Sequence, residues 1–453
     1  MKTTVSFFFM ETRRVLNIKT IGLLVLISAL SLYFTQTGIK SYLEIMESKQ
    51  AYWDFEQVKV SQYPGYGQYG TYGVQVLFVP SPLYIFFINS TTVSRLTANV
   101  DSGERLYIYN SFKGRELFAE KSGGYKDFSG VFLLLASLLM FYAGYDAFTH
   151  RDYLGFMNNF IRPRALFSSI IACRVVIFGL WIAATAALSL LLLKINGIEI
   201  SGEDGRYFAI FLGVLGLVVF FFFILGTISG TFGSPFAGFA MIVTLWFVSV
   251  FMIPGLMRTL ITQSAESITS ISRMDLEKLR LLMKVEDMMQ NSFGSARELR
   301  DQAELKRLVG EKMLEHWEKE YKEFYALEKR IENEVKDNIR FYAALSDWFP
   351  TTFYLSCGNE ISGSGYENYL EFFSWLQELK KNFTLFYMKQ RFLSPAPEGK
   401  GNIQCFFREG ENFFQARTRL PWRFSRGILI SLGYIAILLA VSYIRFKKSL
   451  LRA

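Results

Sequence analysis

The chain has 453 residues, 51% hydrophobic and 17% aromatic, and its mean hydropathy of +0.22 suits a membrane protein. Its 49 basic and 40 acidic residues leave a net charge of +9. In a soluble chain that excess would suggest nucleic acid; here much of it flanks apolar runs, so cytoplasmic retention and contact with anionic membrane lipid explain it better, and no nucleic-acid partner is expected.

Residues 1–19 hold Lys2, Arg13, Arg14 and Lys19 among apolar side chains, which suits a short interfacial helix leading into the membrane. The apolar run 21–34 is followed by no Ala-x-Ala-like cleavage site, so it is predicted to be an uncleaved first span, about 20–37, with its N-terminus inside. Residues 39–127 then form an external loop too long for a plain connection. Its Tyr/Gly-rich stretch 61–73 is predicted to be a flexible surface loop, with a stacking platform for a ligand as the alternative. The apolar stretch 78–87, broken by Pro80 and Pro82, is too short to span and should pack on the membrane surface or the helix bundle. Some alternation over 105–118 suggests a strand pair.

Two long apolar runs follow, 128–148 and 166–194, joined by the polar elbow 149–165. Each is long enough to cross a bilayer, and helix is the only state that satisfies backbone amides in hydrocarbon. The elbow carries Arg151, Arg162 and Arg164, which places it in the cytoplasm by the positive-inside rule. Asp146 and Arg174 lie near membrane depth on either side of it. The simpler reading puts both at the interface with Arg174 snorkelling to headgroups; the alternative has them lock the elbow as a pair or line the entrance of a path. A fourth span (207–230) and a fifth (236–257) complete this unit, with Pro254 and Gly255 marking the exit of the fifth.

Residues 258–423 form a second, larger external region. Helical spacing over 264–345, with a turn at 291–295, predicts a long antiparallel hairpin with a solvated charged surface. A helix starting after Pro350, a Gly/Ser turn and a helix over 366–386 come next. Cys357 and Cys405 fall in this region and could pair if that side is oxidising. A last span, 424–444, ends in a basic tail that should sit inside. The fold class is thus an all-α integral membrane protein of six spans, with both termini cytoplasmic. Its parts are 1–38, 39–127, 128–257, 258–423 and 424–453; the second is a smaller mixed loop and the fourth a mainly helical insertion.

No phosphate-cradling G-x-x-x-x-G-K-[ST], zinc-protease or nucleophile-elbow motif is present, and two histidines and three cysteines leave little for a metal site. The chain is therefore not expected to be an enzyme or to carry a cofactor. The run GYDAFTHRDYLGFMNNFIRPRALFSSIIACRVV resembles the second-span, elbow and third-span signature of type-2 ABC exporter permeases. Asp152, Gly155, Pro163, Arg164 and Arg174 occupy that family's patterned positions. Departures occur at Arg151-Asp152, where Glu is usual, at Phe156, where Thr is usual, and at Arg174, where Lys is commoner. PSPLYIFF and FPTTFYLSCGNEISGSGYENYLEFF are similar to a subgroup with a large insertion before the last helix, tied to gliding motility and copper-enzyme maturation. The resemblance implies a bacterial inner-membrane permease that pairs with a second copy or a related permease. Separately encoded cytoplasmic ATPase subunits would press on the elbow. A non-transporting sensor or scaffold that binds a partner through its external hairpin is the alternative.

Overall fold

In the computed structural model, the described residues are 2–88, 96–102, 107–110, 127–232, 235–257, 259, separate positions between 307 and 341, 343–394, 403–408, 411–421 and 423–450. Six helices are long and apolar enough to cross a membrane: Ile18–Gln62, Phe128–Thr149, Pro163–Ile195, Gly202–Gly230, Phe236–Met257 and Phe424–Leu450. They are numbered here as spans one to six. A helix over Lys2–Val15 precedes the first, as expected for an interfacial segment. The fifth span runs on through Pro254 and Gly255 to at least Met257.

The second and fourth spans make the tightest crossing. A Cβ on Gly144 would lie 2.0 Å from the Phe223 carbonyl oxygen, and one on Gly226 would lie 2.0 Å from that of Phe141. Gly226 and Gly230 sit four residues apart on this face, the small-residue spacing that lets membrane helices touch backbone to backbone. Hydroxyls tie the other spans. Ser28 meets Thr185 at 2.9 Å and accepts from the Trp181 indole at 2.8 Å, and Thr227 meets Ser442 at 2.6 Å. Hydrocarbon offers no competing water, so these bonds help fix which helices neighbour each other.

Two spans widen locally into π-helix, over Phe132–Ala136 and Val248–Met252. Such a turn strains the regular ladder, and side chains meet carbonyls there. Ser137 donates to the Leu133 oxygen, and Thr351, from outside the fifth span, donates to the Ser249 oxygen at 2.6 Å.

Beyond the end of the bundle remote from the elbow lies a second apolar core built on a four-stranded sheet in the order β3-β2-β1-β4. β1 (Val74–Val79) pairs antiparallel with β2 (Leu96–Val100), which pairs antiparallel with β3 (Tyr107–Asn110). β4 (Phe413–Gln415) adds to β1 in parallel from the far end of the chain. The strand expected within 105–118 therefore pairs with residues upstream of that stretch; 111–126 lie outside the described residues. The helix Tyr366–Met388 covers the sheet, with Phe372 against Phe78 at 5.3 Å and against Phe414 at 5.5 Å between ring centres.

Three expectations need correction. The first span does not stop near residue 37 but continues unbroken to Gln62, because nothing between 38 and 62 breaks a helix except one tolerated glycine, Gly38. The Tyr/Gly stretch is not a flexible loop: Tyr66–Tyr72 is helical, and Tyr66 and Tyr69 are buried. Their hydroxyls accept the backbone N–H groups of Gln404 and Phe406, both at 3.0 Å, which gives these tyrosines a partner no local pattern announces. Cys357 and Cys405 do not pair; both are free thiols, one in each apolar core. The apolar stretch 78–87 does pack on the bundle, through a 3-10 turn at Pro82–Phe86 that sets Phe86 against Phe208 at 4.5 Å. Helix Pro350–Ile361 begins where expected. The hairpin turn at 291–295 and most of 264–345 lie outside the described residues.

Glu360 closes the last turn of Pro350–Ile361 and accepts the backbone N–H of Glu367 at the start of the next helix. Burial, then neighbouring Glu367, raises its carboxyl to about 8, against the pull of Arg419. A carboxyl raised in the folded state binds its proton there after the unfolded chain has released it. Stability should therefore fall as pH rises from about 4.5 toward 8 and level off above. Glu360→Gln is expected to flatten that slope, matching wild type near pH 5 and melting higher near pH 8 in thermal scans of the purified protein. At the bundle, Gly226→Val should drive the second and fourth spans apart and lower the melting temperature in detergent by several degrees.

Candidate functional site

The elbow is a short helix, Arg151–Asn158, set between the second span and the third. His150 breaks the second span with ψ 76°, outside the helical region, so the chain turns and starts again. A second break follows at Arg162, in extended backbone, and Pro163 then opens the third span at its first turn, where a missing N–H costs nothing. The elbow is thus flanked by two rigid helices with only a few residues of slack at either end.

One face of the elbow is apolar and buried. Leu154, Met157 and Ile161 join Phe7, Phe148, Phe167 and Phe446 in a compact cluster that brings together the interfacial helix, three spans and the elbow. Phe148 and Phe446 meet at 5.0 Å, and Phe7 stacks on Tyr153 at 6.5 Å. The opposite face is open. Phe156 is 60% exposed and Phe160 is 64% exposed, with their rings 5.1 Å apart, and Arg162 and Arg164 are exposed beside them. Two neighbouring aromatic rings left to solvent, with cations at their edge, are the kind of patch that marks a protein contact.

Behind the elbow lies a cluster of charges. Arg174, three turns into the third span and only 2% exposed, donates to Glu11 Oε1 through Nη2 at 2.8 Å and Nε at 3.1 Å. The same Nη2 reaches Asp146 Oδ2 at 3.1 Å, and Nη1 donates to the Ala143 carbonyl. Arg14 adds a second cation: it donates to the Asp146 carbonyl at 3.1 Å, lies 3.7 Å from Glu11 and 3.7 Å from the Asp146 carboxylate, and covers the Tyr153 ring at 5.3 Å. His150 Nε2 sits 3.6 Å from Asp146 on the exposed side. Two carboxylates therefore meet two guanidiniums, and the cluster is neutral without the histidine. Removing one partner from such a buried set strands the others. Among the described residues no group of His, Cys, Asp and Glu could hold a metal ion.

The alternatives left open for Asp146 and Arg174 resolve in favour of pairing: Arg174 does not snorkel to headgroups but turns inward. Its depth in the span leaves the carboxylates as its source of compensation, and it lies behind the elbow. Gly155, Pro163 and Arg164 stand on the elbow or at its exit. Asp152 belongs to the elbow helix by its backbone, while its side chain lies outside the described residues. Sequence reading passed over Glu11, Phe156 and Phe160 as functional positions. An acid one helical turn before Arg14 is the one local signal, and it points to Arg14, not to Arg174. No protein-family model, curated protein or solved structure matches this chain.

Arg174→Met should leave Glu11 and Asp146 facing each other without their shared cation and cost about 3–5 kcal/mol of stability. The double variant Glu11→Gln, Arg174→Met is expected to recover part of that loss, a coupling that denaturation of the two singles and the double would measure.

Proposed function

We propose that this chain is the membrane permease of an ATP-driven exporter of the type-2 ABC class. In this reading the elbow helix Arg151–Asn158 faces the cytoplasm of a bacterial inner membrane and receives a separately encoded ATPase subunit. The observation that carries it is the pairing of two opposed features on one short helix and the turn that follows it: an exposed Phe156–Phe160 contact face, and a buried face clamped to three spans and to the Glu11–Arg174–Asp146 cluster. A push on a loosely tethered loop would be lost in local motion. A push on this helix reaches the second and third spans directly, since Thr149 and Pro163 end those spans within a few residues of it.

The resemblance noted for Asp152, Gly155, Pro163, Arg164 and Arg174 supports the same reading. Both termini would then be cytoplasmic, with Arg445, Lys447 and Lys448 on that side. The exposed apolar faces of the first, third and sixth spans suit lipid and a second permease, either a copy of this chain or a relative. Translocation itself would follow from tilting of the spans as paired ATPase subunits close on ATP.

Phe156→Asp with Phe160→Asp should leave the buried face intact and weaken the motor contact. Tagged full-length protein purified from its native host is expected to bring down a MgATP-hydrolysing subunit, and the double variant to bring down at least tenfold less, since two central aromatic anchors are removed. Equal ATPase recovery with wild type and the double variant would sink the elbow assignment. A single added cysteine at Asn159, an exposed position, tests the side of the membrane. It should resist a membrane-impermeant thiol reagent in intact cells and react once the cells are opened.

A further inference from the structure

The two π turns in the spans differ in what completes them. In each, a backbone N–H reaches five residues back instead of four, so one carbonyl loses its helical donor. In the second span the N–H of Ser137 goes to Phe132, and the Leu133 carbonyl is left over. Ser137 serves it with its own hydroxyl, and that hydroxyl accepts the indole N–H of Trp246, from the fifth span, at 3.0 Å. In the fifth span the N–H of Ile253 goes to Val248, and the Ser249 carbonyl is left over. The next residue along that could serve it is Pro254, which has no N–H. Its donor comes from elsewhere: the Thr351 hydroxyl, 102 positions away and 1% exposed, at 2.6 Å.

Thr351 is the second residue of helix Pro350–Ile361, which is fastened to two further spans. The Tyr354 hydroxyl donates to the Ser129 carbonyl and accepts from the Ser129 hydroxyl, both at 3.0 Å, in the first turn of the second span. Phe353 lies against Phe424, at the start of the sixth, with ring centres 5.9 Å apart. The fifth span has a second pairing open to it. If the Ile253 N–H returned to Ser249, four residues back, the turn would become regular α-helix and Thr351 would have nothing to complete. Pro254 resists that change, because in a regular helix its ring meets the Val250 carbonyl. Trp246, tied to Ser137, holds the elbow-side part of the span, so the outer end is the part that would turn, by about 100°, the angle of one residue. Leu256 is 57% exposed and Met257 is 7% exposed; such a turn carries Met257 out of its buried position.

We infer that helix Pro350–Ile361 is a latch on the fifth span, with Thr351 as its catch. Engaged, it completes the Ser249 carbonyl and holds the wide turn; released, the turn closes to α-helix and the outer end of the span rotates. The second span has no such switch, since Ser137 completes its turn from within. The inference rests on the hydrogen bonding of the two turns and is independent of the ATPase assignment.

Thiol labelling of the detergent-purified full chain carrying Met257→Cys tests it, with a charged maleimide as reagent and peptide mass mapping to separate the sites. The added thiol should react slowly while Thr351 is in place. Thr351→Val keeps the shape and removes the donor, and should speed that reaction about tenfold, the weight of one lost hydrogen bond on the released population. Thr351→Ser keeps the donor and should react as slowly as the parent. Cys173, buried in the third span, is the internal control and should stay unreactive in all three. An unchanged rate with Thr351→Val overturns the latch. So does an equal rise with Val and Ser, which would make the contact one of packing, or a rise at Cys173 alongside Met257→Cys, which would mean general loosening of the bundle.

Discussion

The arrangement at the elbow depends on one buried cation. Arg174 cannot stay deep in a membrane span without compensation, and its compensation comes from Glu11 on the interfacial helix and Asp146 on the second span. Each acid is drawn from a different helix, so satisfying the arginine also sets where those helices lie. The apolar contacts of Phe7, Phe148 and Phe446 then close over the cluster and seat the elbow against it. Charge decides the address, and packing supplies most of the holding energy; ion pairs taken out of water are weak net stabilisers but intolerant of a missing partner.

The same logic of few, specific contacts runs through the spans. Hydrocarbon gives apolar side chains no reason to prefer each other over lipid, so the second and fourth spans rely on glycine-enabled backbone approach and the others on paired hydroxyls. Two π turns interrupt otherwise regular spans and are bonded by Ser137 and Thr351. The bundle therefore combines a rigid elbow end with places where a helix already departs from ideal geometry.

Most of the bundle was legible in the sequence, for a physical reason: spanning a bilayer imposes length, hydropathy and helix together, and all six spans announce themselves. The helix start at Pro350 was legible from proline's preference for a first turn. Long-range partners were not. Glu11 lies 163 positions from Arg174, and nothing near residue 11 marks it as a counter-ion. The Tyr66–Tyr72 helix looks like a loop because glycine and tyrosine are poor helix formers; its support comes from backbone amides more than 330 positions away. The same distance hides β4, three residues that matter only because β1 offers them an edge.

The unbroken helix Ile18–Gln62 has a mechanical consequence. Its 45 residues extend about 68 Å, roughly twice the hydrocarbon thickness, so about half of its length projects as a stiff mast toward the β-sheet. A rotation of roughly 10° about its midpoint would swing the distal tip by about 6 Å. Gly38, pressed against the Ile85 carbonyl oxygen, lies near that midpoint and marks the natural fulcrum. Small reorientations among the membrane helices would therefore arrive at the distal sheet enlarged, without any flexible joint between the two.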